Sequence, residues 1–297
     1  MSNAENNTVI EVSGLSRKFG RKEALKDISL KVGRGQVFGL VGENGAGKTT
    51  LIQHLLGAYK AKAGVVRVFG IDPVYDPTAV LARIGYLSED RDLPRWMRVA
   101  ELMRYTQAFY PQWDSAFAEK LRGEFGLAAD AKIGNLSRGE LAKAGLLVAL
   151  AHRPELLLLD EPSSGLDAVA RQHILAAVVR TVADEGRTVL FSSHLLEEVE
   201  RVADHVAMIH QGQVVLDMSM DEIKARHHKY IVRMKEKGAA RPDLPGIIHA
   251  MGDGREWSLL CEGDESAFSA AAKDAGCEII ESASPTLEAI FVARATA

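Results

Sequence analysis

The sequence predicts an α/β protein: a mostly parallel sheet covered by helices, followed by a smaller α+β unit. Three observations carry that expectation. Between residues 36 and 203, apolar runs of strand length alternate with segments of helical length. The run at 36–41 ends in a glycine-rich turn. The run Leu156–Leu159 is four leucines without polar alternation, a pattern that asks for cover on both faces of a sheet.

The elements follow in order. Alternation at 9–12 and 28–32 predicts antiparallel strands at the start. Residues 48–56 read as a helix, and 65–69 and 84–87 as strands. From 98 to 150 the apolar spacing is three and four, with Leu102, Tyr105 and Phe109, then Phe117, Leu121 and Phe125. Core packing is the expected role of most of these aromatics. Residues 168–185 and 195–203 read as helices and 188–192 as a strand. Near residue 225 the character changes: 229–237 is basic and alternating, and a Pro- and Gly-rich loop follows at 241–246. The expected domains are therefore 8–225, with a helical part at about 90–150, and 226–297.

Composition narrows the function. The chain has 297 residues and a net charge of −4, so no bulk attraction to nucleic acid or anionic lipid is expected. Its two cysteines, Cys261 and Cys277, make no metal or disulfide framework, so a reducing compartment is expected. The nine histidines, including the adjacent His227 and His228, read as solvated polar residues. The first eight residues carry no apolar signal region. The longest apolar stretches, 144–151 and 156–159, fall well short of the ~18 residues of a membrane helix, so no membrane span is expected.

The segment Gly42-Glu43-Asn44-Gly45-Ala46-Gly47-Lys48-Thr49, followed by Thr50, fits the phosphate-loop pattern G-x-x-x-x-G-K-[ST]. An apolar strand precedes it and a helix follows. Glycines let backbone N–H groups converge on phosphate oxygens, and the helix N-terminus adds positive potential. In that pattern Lys48 reaches the β- and γ-phosphates and the Thr49 hydroxyl ligates Mg²⁺. Four fixed positions should coincide by chance in about one chain of this size in a hundred. The strand–loop–helix context makes chance a poorer explanation still.

Leu159-Asp160-Glu161-Pro162 supplies the second element. Adjacent strand residues face opposite sides, so Asp160 is expected to point at Mg²⁺ and Glu161 at a water in line with the γ-phosphate. One carboxylate holding metal and the other polarising a nucleophile suits hydrolysis. The competing reading is a surface acid pair opening a turn.

With these in place a family resemblance becomes specific. Leu136-Ser137-Arg138-Gly139-Glu140 resembles the L-S-G-G-Q signature of ATP-binding-cassette (ABC) ATPases. Ser164-Gly165-Leu166-Asp167 resembles the family's D-loop, and Ser192-Ser193-His194 its switch histidine. The stretch Ile84 to Glu89 sits where the family carries its Q-loop, and the stretch around Phe19 resembles its adenine-stacking segment. The resemblance covers roughly residues 8 to 220. It implies an ABC cassette with an antiparallel N-terminal β subdomain and a helical signature subdomain. It also implies ATP and Mg²⁺ as cofactors, with Thr49, Glu89 and Asp160 toward the metal. Two cassettes would sandwich ATP between the phosphate loop of one and Ser137 and Gly139 of the other. His194 would contact the γ-phosphate and Asp167 would cross the interface.

Three departures accompany the resemblance. Glu89 replaces the Q-loop glutamine, Arg138 replaces a signature glycine, and Glu140 replaces its glutamine. They bear on turnover and leave open a nucleotide-gated regulator or scaffold with little hydrolysis. The short span between Glu89 and Leu136, the absence of a cysteine cluster and the single cassette favour a transporter subunit over repair, chromosome or ribosome proteins. The resemblance is to bacterial single-cassette subunits of exporter and antibiotic-response type. It implies a separate membrane-spanning permease, a second ATPase subunit, and a cytoplasmic place at the inner face of the membrane. Trp96 and Met97, beside Pro94, are the expected permease contacts. Residues 284–291 resemble the closing helix of such subunits, as a packing appendage or a dimerising or regulatory element.

Overall fold

The computed structural model describes residues 7–183, 186–235 and 241–296. Strands β1 (Thr8–Phe19), β2 (Lys22–Gly33) and β3 (Val37–Val41) come first, then α1 (Lys48–Leu55), β4 (Ala63–Val68), α2 (Pro77–Leu81) and β5 (Ile84–Leu87). Helices α3 (Val99–Gln107), α4 (Ser115–Glu124) and α5 (Arg138–Leu150) fill the next stretch. Then β6 (Leu156–Leu159), α6 (Ala168–Ala183), β7 (Thr188–Ser193), α7 (Leu196–Val202), β8 (His205–His210) and β9 (Gln213–Ser219) follow. The chain ends in α8 (Met220–Arg226), β10 (His227–Arg233), β11 (Ile247–Asp253), β12 (Glu256–Glu262), α9 (Glu265–Asp274), β13 (Glu278–Ala283) and α10 (Leu287–Thr296).

The chain divides into two compact units, Met1–Val214 and Val215–Ala297. The division falls inside β9, ahead of residue 225, where the composition changes. Helix α8 packs against β10 and so belongs with the second unit. Its own sequence, with buried Met220 and Ile223 at helical spacing, gives no hint of the change of unit.

In the first unit, β1 pairs antiparallel with both β2 and β4. The larger sheet has the order β5-β6-β7-β3-β8-β9. Its pairs from β5 through β8 are parallel. All four leucines of β6 are at most 1% exposed, as expected of a strand covered on both faces. Each buried leucine contributes about 1.5–3 kcal/mol relative to leaving it in water. One core cluster runs from Ile10 and Ile28 in the antiparallel sheet, through Phe38 and Leu40, to Leu158 and Leu190. It fixes the parallel strands rigidly, and their carboxyl ends become a stable rim. In open parallel sheets ligands bind at that rim, where the strand order reverses. Here β3 lies between two later strands, β7 and β8, and its carboxyl end carries the glycine-rich loop.

The second unit is a four-stranded antiparallel sheet, β11-β12-β10-β13, with its own core around Tyr230, Val232, Leu259 and Phe268. Residues 236 and 237, the end of the basic alternating stretch, lie outside the described residues, as do 184 and 185 at the end of the predicted helix. In the closing helix Ile290 is fully buried and Phe291 nearly so.

Two expectations are corrected. Tyr105 and Phe109 are 50% and 64% exposed rather than packed in the core. The buried face of α3 is supplied by Val99 and Leu102, and the two aromatics meet each other edge to face at 5.2 Å. His54, His152 and His227 are buried, not solvated. Burial pushes each below the ordinary imidazole range. Among the described residues there is no cluster of three or more His, Cys, Asp or Glu side chains poised to hold a metal.

Candidate nucleotide site

Four parallel strands deliver the candidate residues to one rim. β3 leads into Gly42–Lys48, β5 into Glu89, β6 into Asp160 and Glu161, and β7 into His194. A cleft of about 310 Å³ opens there. Phe19, Asn44, Gly45, Gly47, Lys48, Thr49, Thr50, Glu89 and Glu161 line it. Lys22 and Ala24, at the start of β2, line it too.

The loop geometry needs its glycines at two points. Gly47 has φ of 117°, and a Cβ there would lie 2.6 Å from the Ala24 carbonyl. A Cβ on Gly42 would lie 2.3 Å from the Ile209 carbonyl. The Ala46 carbonyl accepts from the Gly212 N–H at 3.1 Å, which ties the loop to the β8–β9 turn. Helix α1 starts at Lys48 with no side-chain cap, and Lys48, Thr49 and Thr50 of its first turn line the cleft, where the uncapped N–H groups suit an anion.

Lys48 is buried and its Nζ donates to the Gly42 carbonyl at 2.6 Å and the Glu43 carbonyl at 3.2 Å. It also lies 3.0 Å from Glu161 Oε1. Glu161 Oε2 lies 2.7 Å from His194 Nδ1. The three side chains, far apart in sequence, form one chain of polar contacts.

The route by which Glu161 arrives differs from simple strand alternation. β6 stops at Leu159, and Glu161 has φ of 47°, a left-handed turn that a non-glycine residue rarely adopts. That turn, and not the opposite faces of a strand, sends the Glu161 carboxylate toward Lys48. The Glu161 N–H donates to Ser192 Oγ at 2.8 Å, and Ser192 Oγ donates to Asp160 Oδ1 at 2.6 Å.

The carboxylates are crowded. Burial pushes Asp160 above the usual carboxylate range, against hydrogen bonds from Ser192 and Thr49 that pull it down. Glu89 is also pushed up, first by the desolvated wall of the cleft and then by the charges of Glu161 and Asp160. The Tyr86 hydroxyl is pushed up to about 12, chiefly by burial and next by Asp160. Beyond burial, all three shifts share one cause: negative charge concentrated opposite Lys48. A divalent cation would relieve it, and the Thr49 hydroxyl lies near enough to the Asp160 carboxylate to favour its charged form. Mg²⁺ is typically bound through one or two carboxylate or hydroxyl oxygens with waters and phosphate oxygens, and Thr49 beside Asp160 would offer that donor chemistry.

Phe19 stands at the other end, 42% exposed. Its ring meets Tyr59 edge to face at 5.5 Å, and the Arg17 guanidinium lies 4.7 Å from its centroid. An exposed aromatic ring at a cleft mouth suits a flat base.

The signature residues are elsewhere. Ser137 and Gly139 do not line this cleft. Ser137 caps α5 and forms a reciprocal box with Glu140: its N–H and hydroxyl donate to Glu140 Oε2 at 2.9 and 2.7 Å. A Cβ on Gly139 would lie 3.0 Å from Ala170 Cβ. Asp167 caps α6, accepting from Val169 and Ala170 N–H. Signature and D-loop thus adjoin on one surface.

Three further residues hold the rim and carried no local sequence signal. Arg91 Nη2 donates to the carbonyls of Pro162 and Ser164. Glu198, buried on α7, accepts from the Ser163 hydroxyl and pairs with Arg171 at 3.1 Å. Lys22 adds a second cation to the cleft wall. Only a motif-independent census of charged residues near strand ends could have raised them.

Comparison with known proteins agrees with this geometry. The ABC transporter family model matches residues 25–164. The ABC transporter ATP-binding protein NatA of Bacillus subtilis is 34% identical over 225 residues, covering 72% of this chain and 91% of that protein. The bacitracin transport ATP-binding protein BcrA of Bacillus licheniformis is 30% identical, covering 75% of this chain and 74% of its own. A solved ATP-binding subunit of an ABC transporter superposes with a TM-score of 0.67 at 29% identity, covering 73% of this chain and 92% of that one. No helix among the described residues is long and apolar enough to cross a membrane. The chain belongs to the ABC transporter family, as one of its ATP-binding, ATP-hydrolysing subunits.

Proposed function

We propose that this subunit hydrolyses ATP with Glu161 as the base, Lys48 on the β- and γ-phosphates and His194 steering the carboxylate. One observation carries the reading: buried Glu161 contacts Lys48 through one oxygen and His194 through the other. Asn44, Gly45, Ala46, Gly47 and Thr50 bind phosphate through the loop and helix N-terminus, with Gly42 opening the turn. Phe19 stacks on the adenine. Thr49, Asp160 and Glu89 are the residues that would hold Mg²⁺, which when bound would neutralise phosphate charge.

Ser137 and Gly139 serve a second subunit. They sit at an exposed helix start away from this chain's own cleft, beside Asp167. That arrangement favours a head-to-tail dimer in which ATP joins the phosphate loop of one copy to the signature of the other. Hydrolysis powers transport through a separate membrane-spanning permease at the cytoplasmic face of the cell membrane. Trp96, 72% exposed in the loop before α3, is the contact we assign to it, with Met97 beside it. The relatives favour an export role.

The test is Glu161→Gln with ATP and Mg²⁺. Light scattering should show the mass double on adding ATP and fall back when nucleotide is removed. A variant that stays monomeric and hydrolyses ATP at the wild-type rate overturns both the base and the sandwich.

A further inference from the structure

From the geometry around Pro162 we infer that Arg91 is a positioning residue for hydrolysis: it holds the segment after Glu161 in the register that aims the Glu161 carboxylate. The inference rests on the reading of Glu161 as the base.

Arg91 sits in the turn after β5, two residues beyond Glu89. Its backbone is left-handed, with φ of 49°. The turn is closed by the Arg91 N–H to the Ser88 carbonyl at 3.2 Å and the Leu93 N–H to the Arg91 carbonyl at 2.8 Å. The residue is 8% exposed. Its Nη2 reaches across to the β6 loop and donates to the Pro162 carbonyl at 3.1 Å and the Ser164 carbonyl at 2.8 Å. No carboxylate takes part in these two contacts. A buried guanidinium spent on two backbone carbonyls makes them strong, directional bonds.

The two carbonyls flank Ser163, and both point to the Arg91 side. The hydroxyl of Ser163, between them, donates to Glu198. The tripeptide Pro162-Ser163-Ser164 is therefore gripped from two sides by residues of two different elements. Such grip is what a strained neighbour requires. Glu161, directly before Pro162, keeps its unfavourable left-handed backbone only if its surroundings over-determine it. Arg91 does not line the cleft. Its effect on chemistry is carried by the backbone it holds, and a misplacement of about 1 Å at a reacting group can cost ~10²-fold in rate.

The test uses the full chain with ATP and Mg²⁺ and three variants measured in parallel. Arg91→Gln should lower kcat at least tenfold while KM for ATP stays within twofold. Arg91→Lys, which keeps a cationic donor, should recover part of that loss. Both variants lose bonds to buried carbonyls, so their melting temperatures should fall; the positioning role is read instead from kcat falling while KM for ATP is kept, with Arg91→Lys recovering part of the kcat, a split that a general loss of structure does not give. Should Arg91→Gln not fold, Arg91→Lys alone decides: an unchanged KM with a kcat reduced severalfold supports the inference, and parallel loss in both overturns it. Arg91→Gln at wild-type kcat, beside an inactive Glu161→Gln, overturns the role of Arg91 and leaves the base assignment standing. Glu161→Gln at wild-type kcat overturns the base assignment, and the inference with it.

Discussion

Lys48 Nζ and Glu161 Oε1 lie 3.0 Å apart, with side chains 5% and 4% exposed. The cation of the phosphate loop is thus paired with the candidate base. If Lys48 binds the γ-phosphate as proposed, ATP would compete with Glu161 for it and would release the carboxylate on binding.

Lys48→Ala should therefore act twice. It should abolish tight ATP binding, because the γ-phosphate loses its main point charge. It should also lower the stability of the nucleotide-free chain, since removing one partner of a buried ion pair costs about 3–5 kcal/mol. Fluorescent-ATP titration and thermal melting check the two arms. Unchanged ATP affinity would remove the phosphate-loop assignment.

Glu161→Gln should behave in the opposite sense toward ligand. The amide keeps the shape of the side chain but no longer competes for Lys48 as an anion. ATP should bind at least as tightly as to the wild type, and hydrolysis should fall by ~10²–10⁴, the range for loss of a general base. Weaker ATP binding in this variant would argue that the ion pair does not oppose nucleotide.

Phe19→Ala should weaken nucleotide affinity by ~1–3 kcal/mol if the ring stacks on the base. ADP and ATP should suffer equally, because the loss is at the adenine end. If affinities are unaltered, Phe19 serves only its contact with Tyr59 and Arg17.

Ser137→Ala should separate two roles of the signature. Loss of an N-cap costs ~0.5–2 kcal/mol, so the melting point should drop modestly. ATP binding to the monomer should be unchanged, while ATP-dependent dimerisation in the Glu161→Gln background should weaken. Glu140→Gln should strengthen that dimerisation, because it removes an anion bonded to the Ser137 hydroxyl. Its acidity supports this reading: hydrogen bonds from Ser137 hold the Glu140 carboxyl below its usual range, so it is charged at neutral pH. Sedimentation with ATP checks both variants.

Asp160→Asn tests the crowded carboxylates through pH. Burial raises the folded-state pKa of Asp160 above its unfolded value. The stability contributed by its neutral form is full at low pH and is lost as pH rises through the folded pKa. A permanently neutral asparagine does not lose it. In the absence of Mg²⁺ and nucleotide, the variant should melt above the wild type at alkaline pH, by a margin that narrows as pH falls back toward the ordinary aspartate range. A margin independent of pH would mean that Asp160 is not strained by burial.

The sequence by itself determined the parts that are contiguous. The glycine spacing of Gly42 to Gly47, the lysine after it and the apolar strands before the loop and before Asp160 need only local geometry, so their meaning can be read in order. The same holds for helix caps such as Ser137 with Glu140. Tertiary structure decided what depends on strand order. Parallel pairing of β5, β6, β7 and β3 brings Glu89, Glu161, His194 and Lys48 to one rim. The left-handed turn at Glu161 decides where its carboxylate goes, against the alternation the strand pattern implied. Arg91 and its carbonyl partner Pro162 are 71 residues apart, and neither lies in a pattern that announces the contact. Hydrophobic periodicity specifies which face of an element is buried, but not which loop another loop will meet. That is set by the packing of the sheet as a whole, and there the polar contacts that aim the chemistry are made.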